Sequence, residues 1–134
     1  MSAEEIVILS GARTAIGGFG GSLSSVPPID LAETVIRAAL DRASLAPDRV
    51  GQVVFGHVIN TEPRDMYLSR VAMLQAGIPA TTPAMNVNRL CGSGARAVVS
   101  AMQALLLGDA DFAIAGGAGT APWPLPPASR GGWR

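Results

Sequence analysis

The sequence predicts an α/β fold built on a mostly parallel sheet, and three observations carry that reading. Short strand-like runs recur at Ile6–Leu9, Gln52–Ile59, Ala84–Asn88 and Phe112–Ala115, the first two rich in valine and isoleucine. Between them lie longer segments whose apolar residues fall at helical spacing. Clusters of glycine and proline separate the two kinds of segment, so the order reads βαβαβαβ.

Ile6 to Leu9 is a continuous aliphatic run closed by Ser10 and Gly11, the pattern of a strand covered on both faces. Gly17, Gly18, Gly20 and Gly21 form a loop that Pro27 and Pro28 end. Asp30 and Glu33 have the spacing of a capping box, and Leu31, Val35, Ala38 and Ala39 carry a helix to about Ser44. A turn at Pro47 leads to the valine-rich second strand. The polar loop Asn60–Asp65 precedes a helix expected from Met66 to Ala76 and stopped by Gly77 and Pro79. After the third strand comes a helix from about Ser93 to Gly108, apolar on nearly every side and therefore expected to be buried. Met66 and Met73 read as ordinary core contacts. Beyond Ala118 the composition changes: Gly119–Arg134 holds four of the ten prolines, both tryptophans and no acidic residue. The division expected is a folded domain over 1–118 and an irregular Pro/Gly/Trp tail over 119–134.

A length of 134 residues suits one domain with a core. Ten basic and ten acidic residues balance to zero with no Lys/Arg run, so nucleic acid is not an expected partner. The acidic N-terminus, Met1–Glu5, has no secretory character, and the most apolar stretch, Ala97–Gly108, is too short to cross a bilayer. A soluble, cytoplasmic protein is expected. One cysteine excludes an intrachain disulfide, and no Cys/His cluster has metal-ligand spacing. Aromatic residues make up only 4% of the chain, so large anchors are few and the core is expected to lean on a partner subunit.

Chemistry concentrates at Cys91, where the third strand breaks into Gly92, Ser93 and Gly94 before the apolar helix. A thiol beside a helix N-terminus meets the partial positive charge of unpaired N–H groups, which favours the nucleophilic thiolate. Such N–H groups also hold a developing oxyanion in acyl transfer. The competing reading is a buried, inert cysteine acting as a small hydrophobe. Gly92, Gly94 and Ala97 also satisfy a Gly-x-Gly-x-x-Ala pattern, but no acidic residue ends the next strand as a dinucleotide site requires. His57, the only histidine, lies in a strand and reads as structural.

Four segments together resemble the N-terminal half of the thiolase family, in its bacterial β-ketothiolase and acetyl-CoA acetyltransferase group of the polyhydroxyalkanoate type. They are Ser10–Gly21, Gly56–Arg70, the nucleophile motif Asn86-Val87-Asn88-Arg89-Leu90-Cys91-Gly92-Ser93-Gly94, and Gly108–Gly117. The resemblance covers residues 4 to 118. It implies an α-β-α layered domain with a mostly parallel, mixed sheet. It further implies that Cys91 attacks an acyl-CoA thioester and holds the acyl group on sulfur. A second acyl-CoA, deprotonated at Cα, then attacks to give a 3-ketoacyl-CoA, with thiolysis as the reverse. Acyl-CoA and CoA enter as substrates and no other cofactor is implied. The strand bearing Asn86, Val87 and Asn88 is implied to pair across a dimer, so a homo-oligomer or association with a thiolase subunit is expected.

The sequence departs from the family in two ways. A complete thiolase is about three times as long, and its second half carries the activating histidine and the second cysteine that moves the Cα proton, while the family's CoA-binding loop region lies beyond Ala118. After Gly116 and Gly117 the family continues with a Glu, Ser, Met, Ser run, where this chain has Ala118-Gly119-Thr120-Ala121-Pro122-Trp123. Two readings follow: an acyltransferase by descent, expected to be inactive alone, or a non-catalytic remnant that associates through its dimer strand. A β-ketoacyl synthase shares the fold and cysteine position but differs around the cysteine.

Overall fold

A computed structural model describes residues 5–119. The expected tail over 119–134 falls, except for Gly119, outside the described residues. Helix α1 spans Pro28–Ala43, strand β1 Gln52–Gly56, helix α2 Leu68–Gln75, strand β2 Ala84–Val87, helix α3 Ser93–Leu106 and strand β3 Ala113–Gly117. Short 3-10 turns at Pro47–Arg49 and Pro63–Tyr67 lead into β1 and α2.

The three strands run parallel in the order β2-β1-β3. Val53 aligns with Ala84 on one side and with Ile114 on the other. Side chains of β1 alternate between two cores, as a strand with both faces covered requires. Val53 and Phe55 join Ile29, Ile36, Leu40, Leu68 and Met73 beneath α1 and α2. Val54 points the other way, to Ala97 and Ala101 of α3. The chain is thus α/β in three layers.

Several expectations are corrected. Ile6–Leu9 is not a strand: it pairs with none of β1, β2 or β3, and Val7, Ile8 and Leu9 are exposed. The segment is fastened to α1 instead, where the Ser10 hydroxyl donates to the Ala39 carbonyl at 2.6 Å and Arg42 donates to the Gly11 carbonyl. The second strand ends at Gly56 rather than Ile59, and the fourth expected strand starts one residue later and runs to Gly117. Asp30 and Glu33 do not cap α1. The helix begins earlier, with Pro27 at the N-cap and Pro28 supplying the preset φ, while Glu33 turns outward to pair with Arg37 at 2.8 Å.

α3 is not buried all round. Its buried residues are the small ones, Ser93, Ala97, Ser100 and Ala101, whereas Val98, Val99, Met102 and Leu106 remain exposed. Small side chains bring the helix axis close to the sheet, and among the described residues nothing covers its far side. The Gly77 and Gly108 stops are observed, both in the left-handed region with φ of 88° and 76°.

Candidate active site

The turn that carries Cys91 is fixed by two close approaches. The N-terminus of α3 packs directly on the C-terminal ends of β1 and β3. A Cβ on Gly56 would lie 2.5 Å from the carbonyl carbon of Ser93, so only glycine fits there. At Gly117 the nearest atom is the Cα of Gly94, at 3.4 Å from such a Cβ.

The turn itself is held by hydrogen bonds around Ser93. Its hydroxyl accepts from the Arg89 N–H at 2.8 Å and donates to the Leu90 carbonyl at 2.7 Å. The Leu90 N–H donates to the Asn88 side-chain oxygen, and the Gly92 N–H to the Arg89 carbonyl, both at 3.0 Å. These bonds hold Leu90 at φ 50°, a left-handed conformation that a branched side chain adopts at a cost. The result is a sharp bend with Cys91 at its tip, one residue ahead of the N-cap Gly92.

Cys91 is exposed, which removes the reading of it as a buried hydrophobe. Its N–H takes part in no hydrogen bond among the described residues, nor does that of Gly94. A thiol, adjacent unpaired N–H groups and a helix start therefore meet at one point on the surface. A shallow groove beside it is lined by Arg89, Gly92, Ala95, Arg96 and Val99. A cavity of about 540 Å3 beside β3 and the N-terminal segment lies elsewhere and does not include Cys91.

His57 does not join this site. It follows β1, is buried, and sets its Nδ1 2.8 Å from the Ala118 carbonyl oxygen, tying the end of β1 to the residue after β3. Nearby is a residue the sequence reading passed over. Asp65 is fully buried, and one carboxylate oxygen accepts from the Thr61 N–H at 2.6 Å, the Thr61 hydroxyl at 2.7 Å and the Glu62 N–H at 3.1 Å. Burial pushes its pKa up, but the bonds from Thr61 and Glu62, with the charge of His57, outweigh burial and leave it below the ordinary 3.8. The run Glu62-Pro63-Arg64-Asp65 is the signal that could have found it, since Glu62 and Asp65 form a capping box with proline at the first helical position.

Asn86, expected on a dimer strand, turns its side chain inward. Its amide donates to the carbonyls of Asp65 and Met66 and its oxygen accepts from the Ser69 N–H, joining β2 to the start of α2. Among the described residues the backbone of β2 has a free outer edge, because the carbonyls of Pro83 and Val87 point to β1 and those of Ala84 and Asn86 therefore point away.

A parallel α/β domain with a cysteine on a glycine-flanked bend at the mouth of its third helix defines a class of thiol-bearing domains. Residues 6–120 match the family model for the thiolase N-terminal domain, and the chain belongs to the thiolase family. It is 58% identical to the beta-ketothiolase BktB of Cupriavidus necator over 98% of this chain and 34% of that protein. It is 46% identical to the cytosolic acetyl-CoA acetyltransferase of Rattus norvegicus over 85% of this chain and 28% of that one. The acetyl-CoA acetyltransferase of Bacillus anthracis superposes with a TM-score of 0.78 at 37% identity, over 83% of this chain and 28% of that one. The human mitochondrial 3-ketoacyl-CoA thiolase in complex with CoA gives 0.74 at 36% identity, over 76% and 26%. The chain spans about a third of the length of the curated relatives it matches. Among the described residues, no helix is long and apolar enough to cross a membrane.

Proposed function

We propose that this chain is the nucleophile-bearing part of a thiolase-type acyl-CoA acyltransferase, with Cys91 as the residue that accepts the acyl group. The Cys91 thiolate attacks the thioester carbonyl, the developing oxyanion is held by backbone N–H groups at the bend, and the bond to the CoA sulfur breaks. CoA leaves as its thiolate and the acyl group rests on Cys91. A carbanion at Cα of a second acyl-CoA then attacks this acyl-enzyme, releasing Cys91 and forming a 3-ketoacyl-CoA. No cofactor beyond acyl-CoA and CoA enters this reading.

The observation that carries the reading is the exposed thiol at the bend with its own N–H unpaired. Support comes from the relatives, whose names are those of acetyl-CoA acetyltransferases and ketothiolases. The condensation step needs a base for the Cα proton. His57, the only histidine, is buried against Ala118, so the reading gives this chain acyl acceptance and leaves condensation to residues beyond its span.

The test is intact mass after incubation with acetyl-CoA, beside Cys91→Ala. One acetyl adduct on the parent chain and none on the variant is the expected outcome. A folded parent chain without an adduct would instead support the second reading, a non-catalytic member that associates through the strand bearing Asn86, Val87 and Asn88. The observation favouring that alternative is the free outer edge of β2.

A further inference from the structure

Two peptide planes flank Leu90, and they are held in different ways. In the plane between Arg89 and Leu90 both ends are tied: the Arg89 carbonyl accepts from the Gly92 N–H and the Leu90 N–H donates to the Asn88 side chain, each at 3.0 Å. In the plane between Leu90 and Cys91 only the carbonyl end is tied among the described residues, and both of its donors belong to one residue. The Leu90 carbonyl accepts from the Ser93 hydroxyl at 2.7 Å and from the Ser93 N–H at 3.0 Å. A trans peptide sets its N–H opposite its carbonyl. With that carbonyl drawn toward the buried Ser93, the Cys91 N–H points the other way, where it meets no partner among the described residues.

We propose that Ser93 is a positioning residue for acyl transfer: it locks the Leu90–Cys91 peptide plane with the carbonyl inward, and so keeps the Cys91 N–H aimed at the oxygen of an acyl group on its way to the Cys91 sulfur. The role rests on the reading of Cys91 as the acyl acceptor and accounts for how its oxyanion donor is prepared. Such a donor lowers the barrier most when it already points at the oxygen before charge develops there. Cys91 lies ahead of α3, so the regular bonding of that helix does not fix its N–H. Ser93, the first residue of the helix, reaches back to do so.

Turning the plane over would strand both the N–H and the hydroxyl of Ser93, a residue only 4% exposed, where water offers little replacement. With alanine at this position only the N–H would be stranded, and the Arg89 N–H would lose the oxygen to which it donates at 2.8 Å. The plane between Arg89 and Leu90 would keep its bonds to Gly92 and Asn88, so the bend persists while the direction of one N–H is freed. Leu90 bears on the same plane from its other side, being held at φ 50° with its side chain exposed. A β-branched residue there opposes the left-handed conformation without touching the core.

The test compares two reactions of the Cys91 sulfur in the 134-residue chain, for the parent, Ser93→Ala and Leu90→Val. The first reagent, p-nitrophenyl acetate, acylates the sulfur: the thiolate adds to the ester carbonyl, an oxyanion forms, and p-nitrophenolate leaves as the ester C–O bond breaks. The second, iodoacetamide, alkylates the same sulfur with loss of iodide and forms no oxyanion. Ser93→Ala should slow acylation by about tenfold or more, as expected when an oxyanion donor loses its aim, and alkylation by less than about twofold. Leu90→Val, at an exposed position, should divide the two rates in the same direction, and it carries the test if Ser93→Ala does not fold. Acylation and alkylation falling together in the folded variants would overturn the proposal, as would acylation at the parent rate. Neither reagent contains CoA. A parent chain that gains no adduct from acetyl-CoA but shows the divided rates would therefore count against the acyl-CoA reading and for the role of Ser93.

Discussion

The junction of α3 with β1 and β3 and the N-terminal segment Glu5–Gly21 are built from similar residues and behave in opposite ways. At the junction Val54, Phe55 and Ala97 are essentially buried, and glycines let backbones touch. In the N-terminal segment Ile8 is 85% exposed, Ile16 85% and Phe19 81%. Apolar content does not separate them. Every strand at the junction has a neighbour to bond, while the segment has only Ser10 and Arg42 holding it to α1. A β-branched run becomes a strand when a second edge meets it, and burial follows pairing.

The sharpest way to break this contrast is Phe55→Ala. Among the described residues Phe55 is the largest fully buried side chain, and its ring fills the space above Gly116. The expected loss is about 3–5 kcal/mol, read from denaturant unfolding. A loss under about 1 kcal/mol would show that the junction is as loosely packed as the segment.

Gly56→Ala should cost about 1–3 kcal/mol, because the new methyl would overlap the Ser93 carbonyl rather than a movable side chain. It should also lower acetylation of Cys91 more than Cys91 accessibility to a small thiol reagent. Equal, small effects on both would separate the site from the close approach.

Asp65→Asn should cost about 1–3 kcal/mol at neutral pH, since it replaces an acceptor of three hydrogen bonds in a buried place. The pH dependence has a definite sign. The folded carboxyl titrates below 3.8, so its stabilisation is complete above that value and is lost as pH falls through the lowered folded pKa. Unfolding free energies measured down through that range should fall more steeply in the parent chain than in Asp65→Asn, and parallel curves would refute the assignment.

The smallest effect is expected in the segment. Ile8→Ser should change stability by no more than about 0.5 kcal/mol, the usual range for an exposed position. A loss of about 2 kcal/mol would mean that the segment docks in solution and that the contrast is overstated.

The sequence made much of this legible, for physical reasons that also mark where it stopped. The second strand and second helix were legible from their apolar runs, at Gln52–Ile59 and Met66–Ala76 against Gln52–Gly56 and Leu68–Gln75 in the structure, and Gly77 and Gly108 stop their helices because both need positive φ. Ile6–Leu9 has the composition of a strand, but composition says nothing of whether an edge lies beside it. The outward face of α3 is apolar for the same reason it looked buried, and only the packing shows that Ala97 and Ala101, not Met102 or Leu106, meet the sheet. Cys91 stood out through its glycines. The left-handed Leu90 did not, because a branched residue is held there by the Ser93 and Asn88 bonds rather than by its own preference. Asp65 was passed over inside a polar loop, although its bonds to Thr61 and Glu62 are local and the capping-box spacing from Glu62 carried the signal.

The core beneath α3 consists of Val54, Ala97 and Ala101, with Gly56 and Gly117 at its end. Side chains this small leave almost nothing to remove, so the usual damage of truncation has little purchase on them. Nearly every substitution available at these positions adds atoms, and added atoms lift the helix off the sheet. Tolerance to mutation should therefore be one-sided here, with drift toward larger residues closed while the layer beneath α1 and α2 can lose or exchange methyl groups and still fold.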